Sequence, residues 1–280
     1  AAPPEMLFSL LALLSAVATL AVPVSPGDDS LSIARCYYNA TWVLSSVSPD
    51  VASAVADGQM NFSLLPTSMA PNHPLLMEFG SMTCDITMLP GHHSWAEMVI
   101  AVPFLGLQGY KGPFNYQARA YTSKELAVLG DAIVAYQAAT ANITSSKTDA
   151  TDMHVSDSSL GSKGPIADAE FTPGTGEFVK AKDLASTSPN FSMLMDMKSQ
   201  SMVGLRDIAG LKIHECSHIA YDWDQVVAKQ GVAGSVYFDQ SPSLKGIDAG
   251  ARYSWLAGDS TAFEVKAHFS LTFPAKCPAA

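Results

Sequence analysis

The apolar residues of this chain fall mostly in short runs that are rich in β-branched and aromatic side chains. Such runs, bounded by glycine, proline and small polar residues, predict β-strands rather than long helices. The predicted strands are residues 36–45, 74–88, 95–105, 113–121, 191–197, 211–220, 234–238 and 263–273. Because no internal repeat or second core-sized unit is visible, the pattern predicts one mainly β (α+β) domain, built as an antiparallel β-barrel or curved sheet with few helices.

Helical spacing is visible in two stretches of the predicted domain. Residues 49–57 form a short Ala- and Val-rich segment, and residues 123–136 carry the clearer pattern. In the second stretch Ser123 is suited to the N-cap, and apolar side chains follow at helical spacing. Residues 144–164 are polar, and they predict a loop.

A long hydrophobic segment without charge covers residues 6–24. A helix needs about 20 such residues to cross a bilayer. The preceding letters, AAPPE, contain no basic residue, which disfavours a cleaved signal peptide, although a signal peptide and a buried helix remain alternatives. We therefore expect residues 1–30 to be a membrane helix followed by a polar linker, and residues 31–280 to be the folded domain.

Charge is sparse and negative. Charged residues make up 15% of the chain and the formal net charge is -10. Since an average soluble domain has roughly 25% charged residues, much of this surface is expected to be neutral-polar, glycosylated or covered. Lys and Arg are few and scattered, so no stripe that could follow a phosphate backbone is present, and the sequence argues against a nucleic-acid partner.

Cysteines and sequons both favour an oxidising compartment. The cysteines are Cys36, Cys84, Cys216 and Cys277. They fit no CxxC metal pattern, and four cysteines allow three pairings that the sequence leaves open. Glycosylation sequons begin at Asn39, Asn61, Asn142 and Asn190. Together they predict disulfides, glycosylation and a lumenal or extracellular location.

The stretch from Trp95 to Ala141 reads WAEMVIAVPFLGLQGYKGPFNYQARAYTSKELAVLGDAIVAYQAATA. It has an aromatic-x-Glu opening, a Val-Pro bend, a G-x-x-G turn and a second strand that leads into a helix. This order resembles the core of the acetoacetate decarboxylase family. The resemblance implies a β-barrel with a buried and largely apolar pocket, and it implies no cofactor.

In that family a lysine after the helix attacks the ketone of the substrate and forms a Schiff base. The matching segment here ends in Tyr136-Gln137-Ala138-Ala139, so Ala138 occupies the position of the nucleophile. A methyl group cannot form an imine, and the family chemistry is lost. The resemblance places Glu97 in the pocket as a candidate acid–base residue, and further pocket candidates are Trp95, Tyr136, Arg119 and Glu78.

The segment His214-Glu215-Cys216-Ser217-His218 matches the HExxH pattern of zinc peptidases. That pattern requires a helix, whereas the flanking residues favour a strand. On a strand Glu215 would point away from the two histidines. We therefore predict no metal, with His214 and His218 as weak candidates.

Three functions follow from these observations. The first is a membrane-tethered, non-catalytic accessory or ligand-binding subunit, bound to lipid and to other membrane-complex subunits through residues 6–24, with a small apolar ligand in the barrel. The second is an isomerase, hydratase or lyase that acts on a lipophilic carbonyl compound through Glu97. The third and most remote is a zinc hydrolase. The expected location of the domain is an oxidising lumen or the extracellular side, and the alternative is the lumenal side of an organelle membrane such as the thylakoid.

Overall fold

The computed structural model describes residues 32–56, 61–87, 89–124, 138–145, 152–157, 165–208, 211–239, 245–272 and 275–280. The predicted membrane segment and the predicted helix at 123–136 fall almost entirely outside these ranges. Within the described residues no helix is long and apolar enough to cross a membrane.

The described chain is mainly β with few helices, as the sequence predicts. The strands are β1 (Ser32–Val47), β2 (Phe62–Leu64), β3 (His73–Ile86), β4 (His92–Leu107), β5 (Phe114–Thr122), β6 (Ala138–Ser145), β7 (Asp152–Asp157), β8 (Pro165–Thr172), β9 (Val179–Lys180), β10 (Ser201–Ile208), β11 (Leu211–Ser217), β12 (Ile219–Tyr221), β13 (Val227–Gln230), β14 (Ala233–Phe238), β15 (Arg252–Trp255), β16 (Ala262–Thr272) and β17 (Ala275–Lys276). The helices are α1 (Pro49–Val55), α2 (Ala181–Thr187) and α3 (Pro189–Lys198).

The centre of the fold is an antiparallel sheet in the order β16–β1–β3–β4–β5. Strand β6 joins it by parallel pairing with β5, and β6–β7–β8–β14–β15 continue as a further antiparallel layer. The predicted closed barrel is not formed, because the pairing of the described strands leaves the outermost ones, such as β15, without a second neighbour.

Two hydrophobic cores lie on the two faces of the central sheet. One core joins Val43, Met77 and Ile100 to the β6–β15 layer. The other joins the remaining face to α2 and α3, with Trp42, Leu194 and other large side chains in contact. We call this second side the helix-covered face.

Two sequence predictions about local structure are wrong. Residues 191–197 form helix α3 rather than a strand, because Ser188 caps the helix by accepting from the Phe191 amide and Pro189 occupies its first turn. Residues 152–157, expected to lie in a loop, form β7, which is hydrogen-bonded between β6 and β8.

Candidate functional site

A polar cluster is buried on the helix-covered face of the central sheet. Strand register places Trp42 of β1 opposite Glu78 of β3. The next row along the same face contains Ala40, Gly80 and Glu97, from β1, β3 and β4. Alternation along the strands therefore points the carboxylates of Glu78 and Glu97 to the same side of the sheet, on neighbouring strands.

Lys198, the last residue of α3, reaches down to this face. Its Nζ donates to both carboxylate oxygens of Glu78, at 2.7 and 2.8 Å. The same ammonium lies 4.9 Å from the ring centroid of Trp42 and 5.4 Å from that of Tyr221. Both side chains of the ion pair are 6% exposed, so the pair is a buried one held between aromatic rings.

Glu97 has neutral donors as its nearest partners. The Trp95 indole Nε1 donates to its Oε2 at 3.0 Å. The Tyr38 hydroxyl lies near the carboxylate but outside regular hydrogen-bond geometry. Burial, with a further contribution from Glu78, raises the pKa of Glu97 from 4.5 to about 7, although Trp95, Tyr38 and Lys198 pull it down.

The pKa values of Lys198 and Tyr38 are both raised in this cluster. Burial alone would lower the pKa of Lys198, but Glu78 and Tyr221 outweigh it and keep this pKa above its ordinary value. Burial and the two carboxylates raise the pKa of Tyr38 well above its ordinary value. Near neutral pH Lys198 is therefore charged and Tyr38 is neutral, whereas Glu97 titrates in this range.

Gly80 allows β1 and β3 to approach closely beside Glu97. A β-carbon at this position would lie 2.5 Å from the Ala40 β-carbon and 2.6 Å from the Asn39 carbonyl oxygen. A side chain there would push the two strands apart.

The cluster is not sealed from the surface. Glu97 keeps 8% of its exposure, and Trp95 and Tyr221 are half-buried at its margins. A groove of about 680 Å³ lies beside it and shares Tyr221 with it, and Arg35, Tyr37, Asp85 and His268 are among its other lining residues. Arg35 and Tyr37 are exposed and alternate along β1 with the buried Cys36 and Tyr38, so their side chains lie on the opposite face of the sheet.

The four cysteines form two disulfides, as the sequence predicts, and the structure gives the pairing that the sequence leaves open. Cys36 is bonded to Cys84 and Cys216 to Cys277. The first pair links β1 and β3 directly across the sheet. These bonds are compatible with an oxidising compartment.

The HExxH segment lies on a strand and not on a helix. His214 belongs to β11, and His218 follows the end of that strand. Cys216 between them is in a disulfide, and burial lowers the pKa of both histidines. In the described part of the chain no three His, Cys, Asp or Glu residues are grouped so that they could hold a metal ion.

The four sequon asparagines differ in accessibility. Asn61 and Asn142 are exposed, and Asn39 is half-buried on β1. Asn190 is half-buried in the first turn of α3, where its amide donates to the Ser260 carbonyl at 3.1 Å.

Enzymes of known structure have a similar fold, and the similarity covers most of this chain. The enduracididine biosynthesis enzyme MppR matches with a TM-score of 0.53 and 12% identity, over 92% of this chain and 94% of its own. An acetoacetate decarboxylase matches with a TM-score of 0.53 and 14% identity, over 94% and 93%. The chain has an acetoacetate decarboxylase-like fold. An acetoacetate decarboxylase-like enzyme from Sphingomonas wittichii RW1 gives a TM-score of 0.53 at 7% identity, over 91% and 98%. No protein-family model and no curated protein sequence matches the chain.

Within this acetoacetate decarboxylase-like fold, the candidates named from sequence are only partly brought together. Trp95, Glu97 and Glu78 lie in one cluster. Arg119 lies opposite Ile100, on the other face of the sheet, and stacks on Tyr121 at 5.1 Å. Tyr136 lies outside the described residues.

Ala138, which the sequence resemblance aligns with the family lysine, begins β6 and pairs with Ala120. Through Val99 it belongs to the same cross-strand row as Glu78. The register therefore places Ala138 on the same side of the sheet as Glu78.

Four residues of the cluster are not predicted from the sequence: Lys198, Tyr38, Trp42 and Tyr221. Lys198 is not a candidate from the sequence, because the pattern of its segment predicts a strand that ends at Met197. The helical spacing of Phe191, Leu194 and Met197 was the available signal, since it would have placed Lys198 beside the buried face of a helix.

Proposed function

We propose that this chain is an enzyme that transfers a proton at the carbon next to a carbonyl group, with Glu97 as the acid–base residue. One observation carries the proposal: Glu97 is buried with a pKa of about 7 beside a charged lysine. A carboxyl with a pKa near the working pH is suited to take up and return a proton. The fold neighbours are enzymes, which supports a catalytic role.

The proton and the charge have defined places in such a reaction. Ionised Glu97 takes a proton from the carbon, and the electron pair moves onto the carbonyl oxygen as an enolate. The Lys198 ammonium favours the developing negative charge by electrostatics. Glu97 then returns the proton to the same carbon or to a conjugated one, which exchanges or isomerises the substrate.

The reaction is tested by deuterium incorporation. The full chain is incubated in D2O with a panel of small ketones and keto acids, and exchange at the carbon next to the carbonyl is followed by NMR. We expect exchange that falls by about a hundredfold or more in Glu97→Gln. Glu264→Gln is the matched control, because Glu264 is half-buried and pairs with Lys229 at 3.0 Å away from the cluster. Absence of exchange on the whole panel would contradict the proposal.

A Schiff base is not expected at this site. No lysine occupies position 138, and Lys198 stays protonated because Glu78 binds it. Borohydride added with acetoacetate should therefore leave the protein mass unchanged. A reduced adduct mapped to Lys198 would replace the proton-transfer proposal by covalent catalysis.

The second candidate is the membrane-tethered, non-catalytic subunit. The replacement of the family lysine by Ala138 favours it, since the inherited chemistry is gone. This function is supported if no carbonyl compound exchanges and the full chain co-purifies with membrane proteins through residues 6–24. Exchange that depends on Glu97 would count against it.

A further inference from the structure

The buried polar cluster around Glu97, Glu78 and Lys198 is called the Glu97 cluster here, and its net charge follows from its contacts. Glu78 and Glu97 supply two carboxylates, and Lys198 supplies one ammonium. Among the described residues, Lys198 is the cation that acts on both carboxylates. With Glu97 ionised the cluster therefore has an excess of one negative charge, and with Glu97 protonated it is neutral.

The ammonium of Lys198 is already committed inside the cluster. Both oxygens of Glu78 accept from it, at 2.7 and 2.8 Å. The Trp42 and Tyr221 rings lie against it. A carboxylate from a ligand would have to compete with Glu78 for this ammonium, and any weakening of the Glu78 contact would leave a buried charge less well compensated.

Glu97 adds a second obstacle to an anion. Its carboxylate accepts from the Trp95 indole and lies near the Tyr38 hydroxyl, and within the described residues no cation forms an ion pair with it. A ligand carboxylate next to ionised Glu97 would meet direct repulsion in a buried setting. An uncharged carbonyl group meets no such repulsion, and aromatic side chains on β1, β4 and β12 supply apolar walls.

We propose that the cluster selects an uncharged carbonyl compound, such as a ketone or keto ester, and rejects a keto acid. This inference rests on the proposed function of the same site and names its substrate class. It assigns the preference to Glu78, because Glu78 neutralises Lys198, and to Glu97, because Glu97 repels a second carboxylate.

A matched pair of probes isolates the charge. Methyl acetoacetate and acetoacetate have the same carbon skeleton up to the ester, and they differ in whether the carboxyl is ionised. Binding to the full chain is measured at pH 8 by ligand-observed NMR. We expect methyl acetoacetate to bind at least about tenfold more tightly than acetoacetate.

Glu97→Gln tests the cause of the preference. It should improve acetoacetate binding several-fold and leave methyl acetoacetate binding nearly unchanged, because it removes a charge and keeps the shape. Glu264→Gln should leave the ratio of the two affinities unchanged. Circular dichroism of each variant checks that the fold is retained.

The outcomes separate this inference from the proposed function. Tighter binding of acetoacetate than of its ester, or binding of neither probe, overturns the charge selection. An unchanged ratio in Glu97→Gln does the same. Preference for the ester without any proton exchange leaves the charge selection standing and removes the proton-transfer function.

Discussion

Glu78 and Glu97 lie on the same face of one sheet but in different electrostatic surroundings. Glu78 shares both oxygens with an ammonium, whereas Glu97 receives an indole N–H. The ammonium therefore compensates the buried charge of Glu78. The buried charge of Glu97 has no such contact, so ionising Glu97 costs free energy. The position of one lysine therefore gives the two carboxylates different surroundings.

The raised pKa of Glu97 predicts how stability depends on pH. The native carboxyl titrates near pH 7 rather than at 4.5, so between these values the native state binds more protons than the unfolded state. The contribution is fully present below about pH 4.5 and is lost as the pH rises through 7, and it amounts to about 3 kcal/mol. Urea unfolding at pH 5 and pH 8 should show this loss in the wild type.

Glu97→Gln is the control for that measurement, because glutamine stays neutral. The variant should lose this part of the pH dependence and should be more stable than the wild type at pH 8. If both proteins show the same difference between pH 5 and pH 8, Glu97 is not the titrating group.

The Lys198–Glu78 pair predicts a strongly non-additive double-mutant cycle. Lys198→Met leaves a buried carboxylate without its cation, and we expect a loss of about 3–5 kcal/mol in the free energy of unfolding. Adding Glu78→Gln to that variant should recover most of the loss, because no uncompensated charge remains. Denaturant unfolding of the two single variants and the double variant measures this coupling.

The exposed pair of Lys182 and Asp224, at 2.7 Å, is the comparison for this cycle. Lys182→Met should change stability little, since solvent screens the pair. Equal effects of Lys182→Met and Lys198→Met would contradict the importance assigned to burial.

At the scale of elements, strands with clear apolar runs could be predicted and α3 could not. The β3, β4 and β5 strands combine such runs with turn residues at their ends, and their predicted positions agree closely with the structure. In α3 the alternation of Met193, Met195 and Met197 imitates a strand. The helix start at Ser188 and Pro189 overrides that alternation, because capping satisfies amides that a new helix would otherwise leave free.

The candidate site could be predicted only in part for the same reason. Glu97 and Trp95 sit on one strand, where local order carries the information. Lys198 and Glu78 are separated by 120 residues, and their contact depends on how α3 packs on the sheet. Tertiary packing of this kind leaves no local pattern in the sequence.

Helix α3 should depend on its N-cap. Ser188 Oγ accepts from the Phe191 amide at 3.3 Å, and we expect Ser188→Ala to lower the free energy of unfolding by about 1 kcal/mol. Loss of the cap should also increase hydrogen exchange at the amides of this helix, which carries Lys198. Ser192→Ala in the same helix is the control and should have a smaller effect. Equal effects of the two substitutions would argue against the cap.

At the scale of the whole molecule, the disulfides close two long loops. Cys36–Cys84 spans 48 residues and Cys216–Cys277 spans 61. On the chain-entropy account each stabilises the fold by about 4 kcal/mol. We expect reduction to lower the urea midpoint sharply, and Cys216→Ser with Cys277→Ser to reproduce part of that effect. Four free thiols in the freshly purified protein would contradict both the pairing and the oxidising compartment.

The remaining prediction concerns residues 6–24, which lie outside the described structure. Their side chains are apolar except for Ser and Thr, whose hydroxyls can bond back to helix carbonyls. Moving such a surface out of water is favourable by roughly 25 cal/mol per Å², and the described domain forms two hydrophobic cores from its own side chains. The full chain should therefore require detergent, lipid or a partner, whereas a chain that begins at Ser30 should be monodisperse without them. Size-exclusion chromatography with light scattering makes the comparison. If the full chain is monomeric in plain buffer, the membrane anchor is wrong, and the tethered-subunit function fails with it.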